Sequence, residues 1–158
     1  MDFVKYSNFS EDQKTEFLEL AKVLVSWSEK ARFEGILALE EDLAVFKTET
    51  KVRLFLKKTM MLVTDGFDSV AVRQIGERYI QHDNADGFER LAFEMILEGV
   101  LSIQSGDNPF IMIEVLASFT GIFESAKFIE ELHKLEAEVR GYFGENHNGS
   151  FIEEKNEQ

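Results

Sequence analysis

The side chains best suited to chemistry in this chain are three histidines, His82, His133 and His147, and acidic runs such as Glu40-Glu41-Asp42 and Glu130-Glu131. The histidines are widely separated, and none sits in an HExxH frame that would set two imidazoles on one helix face for a metal. Adjacent carboxylates work as general acid and base only when their surroundings push their pKa values apart. In a chain with 30 acidic residues such runs read as solvated faces. Asn84, Asp86 and Gly87 have part of the spacing of a calcium loop, but His82 takes the first ligand position and Phe93 the twelfth. The stretch reads as a hinge. The chain has no glycine-rich phosphate loop and no GxSxG elbow, and without Cys it has no thiol nucleophile and no thiolate metal site. The expectation is a protein that is not an enzyme, with no cofactor and no metal.

The elements that would position these groups follow from composition. A length of 158 residues fits one domain, and 44% hydrophobic residues, with 15 Phe, can fill a core. One Pro, 10 Gly and 30% charged residues leave long stretches without breakers, which suits an all-α domain with charged outer helix faces. The net charge of −13 argues against nucleic acid or an anionic membrane as partner, because phosphate binding rests on Lys and Arg. Unbroken apolar runs, such as Met60 to Val63 and Phe110 to Ile113, are only about four residues long against the roughly 20 of a membrane span. The opening Met1-Asp-Phe-Val-Lys-Tyr-Ser lacks a basic region followed by an apolar stretch, so no secretion signal is expected. With zero Cys, these features suit a reducing, cytoplasmic setting.

Ser10-Glu-Asp-Gln13 has capping-box spacing, and Phe17, Leu20, Leu24, Trp27 and Ala31 then recur every three or four residues. The pattern continues through Leu39, Leu43 and Phe46, which predicts a first helix over 11–46, bent near Gly35. Thr48 to Thr50 caps a second helix that ends at Asp65-Gly66. Asp68 or Ser69 can cap a third, which runs to a polar hinge at 82–87. A fourth helix from Phe88 closes at Ser105-Gly106, and Asn108-Pro109 opens a fifth over about 109–119. Phe128, Leu132, Leu135, Val139 and Tyr142 mark a final amphipathic helix, for the core or for a partner helix. About six helices thus form a compact domain over 1–143, followed by an acidic, disordered tail over 144–158. Two Glu-Gly pairs, Glu34-Gly35 and Glu98-Gly99, each precede an apolar run. Glycine inside a helical pattern costs about 1 kcal/mol relative to Ala, so both are read as sites of close backbone packing.

These segments carry a family resemblance. Glu29-Lys-Ala-Arg-Phe-Glu-Gly-Ile-Leu-Ala-Leu-Glu-Glu41 is similar to the hallmark EKARREGLLALEE of flagellar motor stator subunits of the MotA/PomA family. Residues 16–82 resemble the cytoplasmic segment between that family's second and third membrane helices, including Leu56-Lys-Lys-Thr-Met-Met-Leu-Val-Thr-Asp-Gly66. Residues 93–119, with Glu98-Gly-Val-Leu-Ser-Ile-Gln-Ser-Gly-Asp-Asn-Pro109, resemble its C-terminal cytoplasmic part. The two blocks stand in the family's order, with the hinge at 82–87 where a membrane hairpin would lie.

The resemblance implies a stator-like cytoplasmic fold without ion conduction, since the pore-lining positions have no counterpart. It implies a role in motility at the cytoplasmic face of the flagellar motor, as a non-enzymatic adaptor or modulator. Its partner would be the rotor switch protein FliG or the stator subunits. It also implies that Arg32 and Glu40 form the rotor-facing charged pair, with Lys30 and Glu41 as neighbouring charges. On one continuous helix their eight-residue separation would turn about 80° and advance about 12 Å, leaving both on one broad face. The same charges also fit an ordinary solvated helix face. The alternative function is a structural, self-assembling helical protein, a homo-oligomer that keeps the fold without the motor partners. An engineered fusion of two stator cytoplasmic segments is a further reading.

Overall fold

A computed structural model describes residues 5–83 and 87–144, and every regular element in them is helical. Seven α-helices follow one another: α1 (Glu11–Glu34), α2 (Leu39–Val45), α3 (Lys51–Thr64), α4 (Ser69–Asp83), α5 (Gly87–Ser105), α6 (Pro109–Ser118) and α7 (Ser125–Gly144). Short 3-10 turns precede α1, at Tyr6–Asn8, and α2, at Ile36–Ala38. The fold is an all-α, multi-helix domain.

The starts of the helices follow from local chemistry. Ser10 accepts from the Gln13 amide while the Gln13 side chain accepts from the Ser10 amide, which is the predicted capping box on α1. Thr50 accepts from the Arg53 amide at α3, Asp68 from the Ala71 amide at α4, and Asn108 from the Phe110 amide ahead of Pro109. Each satisfies a backbone donor that has no partner inside its own helix.

One boundary departs from the reading of the sequence. The expected helix over 11–46 is not bent but broken: α1 stops at Glu34, Gly35 takes φ 90° and ψ 159°, and the chain restarts through a 3-10 turn into α2. That backbone region is open essentially to glycine alone. The restart accounts for seven helices where six are expected. Of the hinge expected over 82–87, His82 and Asp83 belong to α4 and Gly87 opens α5, while residues 84–86, like the tail residues 145–158, lie outside the described residues.

α1 and α5 are the central helices. α1 packs against α5, α6 and α7, and α5 against α1, α3, α4 and α6. Leu24 of α1 lies against Gly99 of α5, and Leu20, Leu24, Met95, Ile96 and Val100 of these two helices are all without exposed surface. At the start of α1, Tyr6, Phe9, Phe17, Phe88 and Phe128 form an aromatic cluster in which Phe17 and Phe128 lie 5.9 Å apart. At its far end Trp27 meets Phe46 edge-on at 5.3 Å, and Phe33 stacks on Phe143 at 5.9 Å. Both ends of α1 are therefore pinned, so the direction in which it delivers Gly35 is fixed.

Candidate functional site

The four charged residues singled out in the sequence gather at the α1–α2 elbow, but the structure gives them different environments. Lys30 is 1% exposed, so it does not belong to a surface charge pattern. Its Nζ lies 2.6 Å from Asp42 Oδ2 and also donates to Glu41 Oε1. Burial pulls the ammonium pKa down, and the hydrogen bonds to Asp42 and Glu41 outweigh it, so Lys30 stays charged with its pKa above the ordinary value. Asp42 is equally buried. The pair clamps α1 to α2 across Gly35, and Glu41 reaches over it from the surface as a structural ligand of the ammonium.

Arg32 and Glu40 are exposed, and they occupy separate helices rather than successive turns of one. The continuous-helix argument for a shared face is thereby replaced by the geometry of the elbow. The same stretch of chain, from the end of α1 to the end of α2, also exposes Phe33, Leu37 and Val45, by 50%, 66% and 48%. Exposed basic, acidic and apolar side chains thus occur together along the α1–α2 segment, a composition suited to a partner surface.

Sequence reasoning missed what lies beneath Arg32. Glu29 on α1 and Glu136 on α7 are both buried, at the floor of a cleft of about 320 Å³ bordered by Phe33 and by Asn108 and Phe110 at the start of α6. The Arg32 Nη1 lies 3.7 Å from Glu29 Oε1, and the Arg140 Nη1 lies 3.5 Å from Glu136 Oε1. Burial first, and then the neighbouring Glu136 carboxylate, push the Glu29 pKa up to about 7 against the opposing pull of Arg32 and Arg140. Glu29 Oε1 has no hydrogen-bond partner among the described residues, and a protonated Glu29 can donate to the Glu136 side chain. The arrangement holds a proton near neutral pH between two packed helices. A signal for it exists in the sequence: Glu136 occupies a core-facing position on α7, in the stripe Phe128, Leu132, Glu136, Val139, Phe143.

Among the described residues, no group of three or more His, Cys, Asp or Glu side chains is gathered to hold a metal, and no helix is long and apolar enough to cross a membrane. Of the histidines, His133 lies against the Phe110 ring at 5.1 Å, and His147 falls outside the described residues. Compared with protein-family models, curated proteins and solved structures, the chain gives no match.

Proposed function

We propose that this protein is a MotA-like, non-enzymatic adaptor or modulator of the bacterial flagellar motor that binds the rotor protein FliG or stator subunits without conducting ions. The observation that carries the reading is the elbow: Arg32 and Glu40 are exposed on the α1–α2 segment that also exposes Phe33, Leu37 and Val45, and the buried Lys30–Asp42 pair ties its two helices together. A charged pair at the edge of an interface governs encounter rate and register, while neighbouring apolar side chains supply burial. Lys30 and Glu41 act in this reading as the internal brace and Arg32 and Glu40 as the contacting charges.

The test is binding of the FliG C-terminal domain at low salt. The wild type is expected to bind, and Arg32→Glu or Glu40→Lys to bind at least severalfold more weakly. No detectable binding by the wild type would sink the rotor version, and pull-down of stator subunits in its place would leave the stator version.

Self-assembly is the second reading, favoured by Ile122 and Phe123. These adjacent apolar side chains are 86% and 96% exposed in the turn between α6 and α7. Light scattering would show a defined oligomer that Ile122→Ser/Phe123→Ser converts to monomer; a monomeric wild type removes this reading.

A further inference from the structure

A second surface, on the α3–α4 side of the fold, is independent of the elbow. Across Lys51–Thr64, α3 carries Lys51, Arg53, Lys57 and Lys58 and no Asp or Glu. Every other described α-helix contains acidic residues, and the whole chain has a net charge of −13. Arg53 is turned inward to Glu16, which its Nη2 meets at 2.6 Å. Lys51 and Lys58 point outward, and neither forms an ion pair with another described residue.

The outward stripe of α3 reads Lys51, Leu54, Lys58, Met61, with Leu54 55% and Met61 40% exposed. This 3-4-3 spacing is that of a helix seam. Beside it lies an apolar groove of about 390 Å³. Its floor is the Phe55 and Phe93 ring pair, with centroids 4.8 Å apart, and Tyr79 of α4 forms the opposite wall. Asp83, also on α4, is the acidic group that lines the groove, so the two walls differ in charge: basic along α3, acidic at the end of α4.

We propose that this groove docks an acidic amphipathic helix of a partner protein. The occupant would set apolar side chains at i, i+3 or i+4, and i+7 against Leu54, Tyr79 and the aromatic floor. It would place two Asp or Glu side chains about two turns apart, roughly 10 Å, along the edge facing Lys51 and Lys58. The charge asymmetry gives the docked helix an orientation, because its acidic edge is attracted to α3 and repelled by Asp83. A second folded copy of the chain is the weaker occupant, because its amphipathic helices already bury their apolar stripes in its own core.

The probe is a fluorescein-labelled amphipathic peptide with Leu at 3-4-3 spacing and two Glu seven residues apart on the flanking edge, compared with the same peptide carrying Lys in place of both Glu. Fluorescence anisotropy on the full chain is expected to favour the Glu peptide by about tenfold. Lys51→Glu/Lys58→Glu should invert that preference, and Leu54→Asp should weaken both peptides. Both altered lysines are exposed, so the melting curve should be unchanged. Equal affinity of the wild type for the two peptides, or no binding of either, overturns the proposal without recourse to any variant. Sedimentation that finds a wild-type dimer dissolved by Lys51→Glu/Lys58→Glu assigns the groove to a second copy and overturns it as well.

Discussion

Glu34-Gly35 and Glu98-Gly99 look alike in sequence and do opposite things in the structure. At Gly35 the backbone takes φ 90°, a Cβ would meet nothing within 4 Å, and the glycine ends one helix so that another can begin. At Gly99 the helix continues unbroken, and a Cβ would stand 2.6 Å from Leu24 Cδ1. One glycine is needed for its dihedral angles and the other for its missing side chain. The reading of both as close-packing sites thus holds at the α1–α5 crossing and is replaced at the elbow by a corner. Identical dipeptides separate according to what lies around them: α5 is buried along most of its length, whereas Gly35 sits where α1 runs out of core to cover.

The largest effect should come from the brace that holds the corner. Lys30→Met leaves Asp42 buried without its cation and should cost about 3–5 kcal/mol in urea unfolding. Lys30→Met/Asp42→Leu should recover most of that, and a loss under about 1 kcal/mol for the single change would show that the clamp does not hold the elbow. Next, Gly99→Val forces a side chain into Leu24 and should cost about 1–3 kcal/mol, part of it restored by adding Leu24→Ala. Gly35→Ala should cost about 1–3 kcal/mol through backbone strain alone, and Leu24→Ala should give it no relief. That contrast is the sharpest test of the comparison: a shared rescue would mean the two glycines are the same device.

A smaller effect depends on pH. The Glu29 pKa rises from 4.5 to about 7 on folding, so between those values the folded chain holds a proton that the unfolded chain has released. The stability tied to this carboxyl is complete below about pH 4.5 and is lost as pH rises through 7. Glu29→Gln keeps a neutral, hydrogen-bonding side chain there and should stabilise the protein by about 1–3 kcal/mol at pH 8, with little change at pH 4. Thermal melts at the two pH values check this. Smallest of all, Glu40→Lys, on the exposed side of the elbow, should shift unfolding by no more than about 0.5 kcal/mol, so that any loss of partner binding reports on the surface and not on the fold.

The helices were legible in the sequence wherever a cap and an apolar stripe agreed. Ser10 with Gln13, Thr50, and Asn108 with Pro109 each mark an observed start, and Gly66 and Gly106 take positive φ where ends were expected. The break after Glu34 was hidden because Leu39 and Leu43 continue the three-or-four spacing of α1 across it, even though they belong to a new helix with its own direction. Spacing records which residues are apolar and not which way a helix points. The site was less legible for a similar reason. Lys30, Arg32, Glu40 and Glu41 are four charges in one window of sequence, and only the fold separates an inward ammonium from outward ones. Glu29 and Glu136 are distant in the chain, and the α1–α7 contact alone brings them together.

The proton held by Glu29 has a thermodynamic signature beyond stability. Glu29 and Glu136 sit on different helices, so whatever draws α7 away from α1 returns Glu29 to water and to an ordinary carboxylate pKa. Near pH 6 that movement expels a proton into the medium. A ligand that parts this seam would therefore bind with a heat that changes with the ionisation enthalpy of the buffer, and one that docks at the elbow or on α3 without parting it would not.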